Sequence, residues 1–367
     1  MATVAAAKAI PSPTFRLMGR SNGAVNAPVI SPCRVAVVGC GLIGRQRVEA
    51  LLTIPGAELA GTVDPAADRP PASLAPHYES LDEVPADTYD AAVVAVPHDL
   101  AFELAETVLR AGKPVLIEKP LGISSAQARE LERLASALPL PSFVGYNYRF
   151  LPAIRELVGL VRSGQLGTLR NLDLLLGHGG DPGSTQGWKL DPARAGGGAL
   201  LDPGVHLLDL LLVIAPDAVC TSVEATRGFW GTETEEDVVA TFRAENLIGT
   251  VRASRIRWLN TFRVEVHGED GYAIAEGRGG NYGPMTMRLG RRWAWRDQGV
   301  VSQRDSEEVR DFGQQDASLS DELTAILSAW TGAGPQVGFP APAQMAEARA
   351  ITELFEQLSP RIGDPPA

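Results

Sequence analysis

The sequence predicts an α/β chain in two parts: a doubly wound parallel sheet, then an α/β unit with a large, open, mainly antiparallel sheet. Three observations carry this. From Arg34 to residue 149, short apolar β-rich runs alternate with segments of helical period, the pattern of a parallel sheet flanked by helices. Beyond that point the runs lengthen and alternate apolar with polar residues at hairpin spacing. A chain of 367 residues, 45% hydrophobic and 21% charged, also exceeds one ordinary domain.

Residues 1–33 read as a flexible tail. They are rich in Ala, Ser, Pro and Gly, carry Lys8, Arg16 and Arg20, and no acid precedes Glu49. A transit peptide shares that bias, but scattered Pro and Gly break any long amphipathic helix, so a disordered tail is the expectation. A second short tail is expected at 361–367.

Order begins with CRVAVVGCGLIG. Arg34 to Val38 reads as a buried strand, and Gly39, Gly41 and Gly44 follow as G-x-G-x-x-G into a helical stripe of Val48, Leu51 and Leu52. The first glycine permits the strand-to-helix turn, the second lets a pyrophosphate approach the backbone, and the third lets helix and strand pack closely. Leu42 and Ile43, opening that helix, belong to the same phosphate-binding turn. A second strand, AELAGTVD, ends in Asp64, about twenty residues after Gly44, where a carboxylate would hold the ribose hydroxyls of a dinucleotide. A 2′-phosphate there would meet like charge, so NAD is expected over NADP; Arg69 lies near enough to swing in.

Tyr89–Pro97, Lys113–Pro120 and Ser142–Phe150 read as further strands, with helices in LAFELAETVLRAG and SSAQARELERLASAL. Ligands bind such sheets beyond the carboxyl ends of the strands, which places Val96, Pro97, His98, Glu118, Lys119, Tyr146 and Asn147 on the cofactor side. Residues 34–149 form this first domain and 150–360 the second. The second has strands in TLRNLDLLLGHG, VCTSVEATRGFW, DVVATFRAENLIGTVRASRIRW, TFRVEVHGEDGYAIAEG and PMTMRLGRRWAW. Its helices are LPAIRELVGLVRSG, the helix of His206, Asp321 to Trp330 and Gln344 to Leu358.

A net charge of −11 opposes nucleic acid and anionic membrane as partners. Three cysteines at unrelated spacings indicate neither a disulfide framework nor a zinc site, and a reducing, cytoplasmic compartment is expected. No apolar run reaches the length of a membrane span. No metal is expected.

The order G-x-G-x-x-G, Asp64, Glu118-Lys119-Pro120, Tyr146-Asn147-x-Arg149-Phe150, Gly196-Gly197-Gly198 and Asp202-x-x-x-His206 resembles the glucose-fructose oxidoreductase / inositol dehydrogenase family. The resemblance implies a Rossmann domain and an α/β domain that commonly builds homodimers or homotetramers. It implies an NAD(P)-dependent oxidoreductase of sugars, cyclitols or their derivatives, with Lys119, Asp202 and His206 as catalytic groups. Relatives often have Thr-Pro-Asn where this chain has Val96-Pro97-His98.

The chemistry agrees. Hydride transfer at a carbinol carbon requires a proton to leave or join the oxygen, and His titrates nearest neutrality. Asp202 and His206, four residues apart, are expected on one helical face, with Lys119 reaching in from the first domain and the three glycines leaving room between. Asp202 before Pro203 also reads as a helix N-cap. Tyr146, Asn147, Trp188 and Lys189 are the remaining substrate-binding candidates; Arg149 stands with Tyr146 and Asn147 at the sheet edge, to bind substrate or only join the domains, His178 and Asp181 lie in a glycine loop expected to line the pocket, and His77 and His267 read as structural or surface groups. Two other classes fit the scaffold: an NAD-dependent glycosidase working by transient oxidation, and a non-catalytic cofactor-bound regulator.

Overall fold

The computed structural model describes residues 32–66, 75–180, 187–291, 307–335 and 339–359. The N-terminal tail, the last residues, Arg69 and Asp181 lie outside the described residues.

Strand β1 (Cys33–Val38) leads through the glycine turn into α1 (Leu42–Thr53), then β2 (Ala57–Val63), the two-residue β3 (His77–Tyr78) and β4 (Ala91–Val94). Helix α2 (His98–Arg110), β5 (Val115–Glu118), α3 (Ser125–Ala135) and β6 (Phe143–Gly145) follow. The sheet order β6-β5-β4-β1-β2-β3 is parallel throughout, so the direction of winding reverses between β1 and β4, and a crevice opens at their carboxyl ends. Val35, Ala36 and Val37 are wholly buried, as expected of a strand covered on both faces. The last strand is shorter than Ser142–Phe150: after Gly145 the chain turns into a single 3-10 turn over Asn147–Phe150, whose residues are all buried.

The second sheet contains β7 (Leu169–Gly177), β8 (Val219–Thr226), β9 (Asp237–Arg243), β10 (Ile248–Ser254), β11 (Thr261–Gly268), β12 (Gly271–Glu276), β13 (Met285–Arg291) and β14 (Glu308–Gly313). Its order is β14-β13-β12-β11-β7-β10-β9-β8, antiparallel except for the β7–β10 pair. Helix α4 (Pro152–Arg162) covers one face at β12 and β13, and α6 (Val205–Ile214) covers the same face at β7 and β10. The other face bears paired ions: Arg263 with Glu265 and Glu276, and Arg288 with Glu276.

The last elements return to the first sheet. Helix α7 (Ser318–Trp330) packs on α1, and Leu323, Ile326, Leu327 and Trp330 close a core with Val35, Val37 and Leu51. Strand β15 (Ala343–Gln344) pairs antiparallel with β6, and α8 (Met345–Leu358) packs on α3. The sequence pattern assigns these elements to 150–360, whereas their packing joins them to the sheet of 34–149.

Candidate active site

The glycine turn is built as its spacing requires. Gly39 has φ +94°, and a Cβ there would overlap the Ala95 carbonyl; one on Gly44 would overlap the Gly39 carbonyl. Gly41 faces open space. It also precedes α1 without a side-chain cap, and the first turn of α1 carries no acid, so its N–H groups remain available to an anion. The Asp64 carboxylate is fixed at the end of β2 by accepting from the Cys40 N–H at 2.6 Å and the Ala66 N–H at 2.8 Å. His77 braces the same strand end, bonding Thr62 and the Asp64 carbonyl.

These groups open onto a cavity of about 840 Å³. Gly39, Gly41, Leu42, Ile43 and Asp64 line it from the first two strand ends, Val96, Pro97, His98, Glu118 and Lys119 from the next two, and Trp188 and Lys189 from a loop before α5 (Pro192–Ala195). Gly44 lies beneath the turn and Tyr146 and Asn147 are buried away from the lining. Open space at Gly41 and a carboxylate at the second strand end are the features a dinucleotide needs, so the residues present fit NAD. His98 donates from Nδ1 to the Ala195 carbonyl at 2.8 Å and meets Trp188 edge-on; burial, then the charge on Lys119, pushes it down to about 4, so its ring is neutral.

Lys119 connects this cavity to the second unit. Its Nζ donates to Asp202 Oδ1 at 2.7 Å, Lys189 Nζ lies 2.7 Å from Oδ2, and Arg255 donates to the Asp202 carbonyl at 3.0 Å. Burial alone would push the Asp202 carboxyl up, but Lys119, Lys189 and Arg255 together hold it well below the usual carboxylate range. His206 is 5% exposed, and its Nδ1 is enclosed without a hydrogen-bond partner. Burial, then Lys119 and Arg278, push its imidazole well below the ordinary histidine value, against the pull of Asp202.

Two local expectations change. Helix α6 begins at Val205 with Gly204 as its cap, so Asp202 precedes the helix and is neither its N-cap nor on its face; the cations around it set its position instead. The three glycines are packing points rather than spacers that leave room: a Cβ on Gly196, Gly197 or Gly198 would meet Ile123, Phe355 or Glu235. The Glu235 carboxylate accepts from the Gly198 N–H at 3.0 Å and the Leu200 N–H at 3.2 Å, holding the turn before Asp202.

The 3-10 turn supports the same helix. Arg149 donates to both oxygens of Asp209, at 3.0 and 2.9 Å, a buried pair that locks α6 and hence His206. Asn147 donates to the Ser318 hydroxyl at 2.7 Å, and the Tyr146 ring stands edge-on to His206 with its hydroxyl enclosed and unpartnered. Glu235, Arg255 and Arg278 carry no motif in the sequence.

Residues 33–146 match the family model of an oxidoreductase family with an NAD-binding Rossmann fold, and residues 154–274 match the GFO/IDH/MocA C-terminal domain. Together these cover more than half of the chain. The chain belongs to the GFO/IDH/MocA oxidoreductase family. Among its relatives, the rhizopine catabolism protein MocA of Rhizobium meliloti is 30% identical over 48% of this chain and 55% of its own length. Glucose-6-phosphate 3-dehydrogenase of Bacillus subtilis (strain 168) is 28% identical over 52% and 57%. The chain thus spans little more than half the length of these curated relatives. A levoglucosan dehydrogenase in complex with NADH shares the fold of this family member, with a TM-score of 0.74 at 16% identity over 90% of this chain and 97% of that one. Among the described residues no helix is long and apolar enough to cross a membrane, and no cluster of His, Cys, Asp and Glu could hold a metal.

Proposed function

We propose that the protein is an NAD(H)-dependent oxidoreductase interconverting a secondary hydroxyl and a ketone on a sugar, cyclitol or sugar derivative. The observation that carries this reading is Lys119. One ammonium group lines the dinucleotide-sized cavity and binds, at 2.7 Å, the carboxylate that stands four residues before a buried neutral histidine.

Gly39, Gly41, Gly44 and Asp64 would hold the dinucleotide, with Leu42, Ile43, Val96, Pro97, His98 and Glu118 along its path; once bound, its nicotinamide supplies the hydride acceptor or donor. The chain's own groups manage the proton. Lys119 donates a hydrogen bond to the substrate oxygen and stabilises the charge that grows on it. His206, kept unprotonated by burial and by Lys119, accepts the hydroxyl proton in oxidation and returns it in reduction. Asp202 orients the ammonium of Lys119 and balances its charge. Trp188 and Lys189 complete the substrate side, while Tyr146 and Asn147, predicted as substrate-binding, support the site from behind: Tyr146 packs edge-on to His206 and Asn147 bonds Ser318. The names of the relatives, which include a sugar-phosphate dehydrogenase, support this substrate class.

The deciding experiment is a turnover screen against inositols, free hexoses, aminosugars and nucleotide-linked ketosugars with NAD and NADP, read by nicotinamide absorbance. Cofactor-dependent interconversion of at least one hydroxyl or ketone is expected. Glycoside cleavage without net nicotinamide change, or no turnover of any class, would overturn the reading.

A further inference from the structure

Helix α2 opens with His98, whose imidazole lines the dinucleotide cavity where the two units of the chain meet. The residue is 7% exposed. Its Nδ1 bonds the Ala195 carbonyl at 2.8 Å, and Trp188 meets the ring edge-on with centroids 4.7 Å apart. A carbonyl oxygen can only accept, so this bond assigns the ring's proton to Nδ1. Burial, with the charges of Lys119 and Lys189, outweighs the Ala195 bond and Asp202 and keeps a second proton off the ring. Nε2 is therefore a lone-pair acceptor. It has no hydrogen-bond partner among the described residues, yet it is not sealed in as Nδ1 of His206 is, and the surface it shares is that of the cavity.

The order of the strands says which donor comes to it. The sheet runs β2-β1-β4-β5, which sets the four carboxyl ends side by side at about 5 Å intervals. Asp64 at the end of β2 suits the adenosine ribose, and the glycine turn after β1 suits the pyrophosphate. The other half of a dinucleotide crosses the crevice from there. Its ribose comes first, at the end of β4, where Val96, Pro97 and His98 line the cavity, and its nicotinamide next, toward Lys119 at the end of β5. Phosphate oxygens only accept, and the glycine turn offers them N–H groups. A ribose hydroxyl can donate, and a neutral nitrogen lone pair is its complement.

We infer that His98 Nε2 accepts a hydrogen bond from a hydroxyl of the nicotinamide ribose, so that His98 recognises that half of the dinucleotide as Asp64 recognises the other. The same ring, through Nδ1 and Ala195, ties the second unit to the first at the point where this ribose binds. This deepens the proposed reading of the site and rests on its dinucleotide part alone.

The test titrates NADH, ADP-ribose and ADP into the full chain by calorimetry. ADP-ribose keeps the second ribose without the nicotinamide, and ADP lacks both. Two replacements separate the ring's nitrogens: the Asn amide nitrogen takes the place of Nδ1 and can keep the bond to Ala195, whereas the Gln amide reaches the place of Nε2 and restores an acceptor there. His98→Asn should weaken NADH and ADP-ribose by roughly five- to tenfold, the scale of one neutral hydrogen bond, and leave ADP unchanged. His98→Gln should keep most of the affinity for all three. In the unaltered protein, ADP-ribose without the 2- or the 3-hydroxyl of its second ribose should lose the same factor, a measurement that needs no variant. Full affinity of both deoxy ligands would overturn the inference. A loss confined to NADH would assign the acceptor to the carboxamide, and an equal loss for all three ligands would leave His98 only a joint between the units; either overturns it, as does equal behaviour of the Asn and Gln variants. If the ribose pattern holds and no hydroxyl or ketone is turned over, His98 keeps its role and the oxidoreductase reading fails. If turnover is found and the pattern is missing, the inference alone fails.

Discussion

The imidazole of His206 lies face to face with the phenol ring of Tyr148, their centroids 3.9 Å apart and their planes 4° from parallel. Arg278 sits over the same phenol, 5.1 Å from its centroid. The stack fixes the imidazole plane where no hydrogen bond to Nδ1 does so. Tyr148→Phe keeps the ring and should retain most turnover, whereas Tyr148→Leu should lower kcat roughly tenfold or more, because a misplaced base loses its alignment. Equal turnover in the two variants would show that the stack does not position His206.

His206→Ala and Lys119→Ala should each lower turnover by roughly 10²–10⁴-fold, the scale of a general acid or base. NAD affinity should hardly change, since the phosphates and ribose belong to the glycine turn and Asp64. The two losses should not add in the double variant, because groups acting as one unit share a single effect. Full activity of the His206 variant would end the mechanism.

Asp64→Ser should weaken NAD binding by about tenfold and move preference toward NADP, since it removes the carboxylate that repels a 2′-phosphate and also the acceptor of the Cys40 N–H. Equilibrium binding of both dinucleotides checks this. Tighter NADP binding by the wild-type protein would refute the assignment.

Arg47, wholly buried, faces two carboxylates: Glu118 at 2.7 Å and Glu322 at 2.6 Å. One positive charge cannot neutralise both. Burial pushes the more enclosed Glu322 up to about 7, against the pull of Arg47. A carboxyl raised on folding binds more protons in the native state, so this residue's contribution to stability falls as pH rises from the unfolded value near 4.5 through about 7. Glu322→Gln should therefore match the wild type in melting temperature near pH 4.5 and gain on it toward pH 8. A melting-temperature difference that stays constant with pH would contradict it.

A homodimer or homotetramer joined through the ion-paired face of the second sheet is expected by light scattering at micromolar concentration. That face is laced with Arg263, Glu265, Glu276 and Arg288, so the association should respond to salt. A monomeric mass would count against it.

The parallel sheet was legible in its longer strands because each carries an apolar run, though the two-residue β3 of His77 and Tyr78 was not, and the glycine turn because each glycine answers a separate steric demand. Lys119 stood out because a lysine between a buried strand and a proline has few places to go. The environment of Asp202 was not legible. Arg255 and Lys189 reach it from loops 53 and 13 residues away, and no spacing rule links such positions. Gly196 to Gly198 misled for a related reason: in sequence a glycine that leaves open room and one that permits close packing look alike, and only Ile123, Phe355 and Glu235 tell them apart. Strand β15, two residues long, is too short to show any period.

The pairing of β15 with β6 has a consequence for how the molecule is made. Ala343 pairs with Val144, so the edge of the first sheet is completed by a segment about 200 residues later in the chain, and the apolar side of α1 waits longer still for Leu323 and Trp330. As the ribosome extrudes this chain, the dinucleotide-binding sheet emerges ahead of these segments and stays open along one edge and one face until they follow. Its folding is thus tied to emergence of those later segments, and a product stalled or truncated before them would present that uncovered surface to chaperones and proteases rather than persist as an independent half-protein.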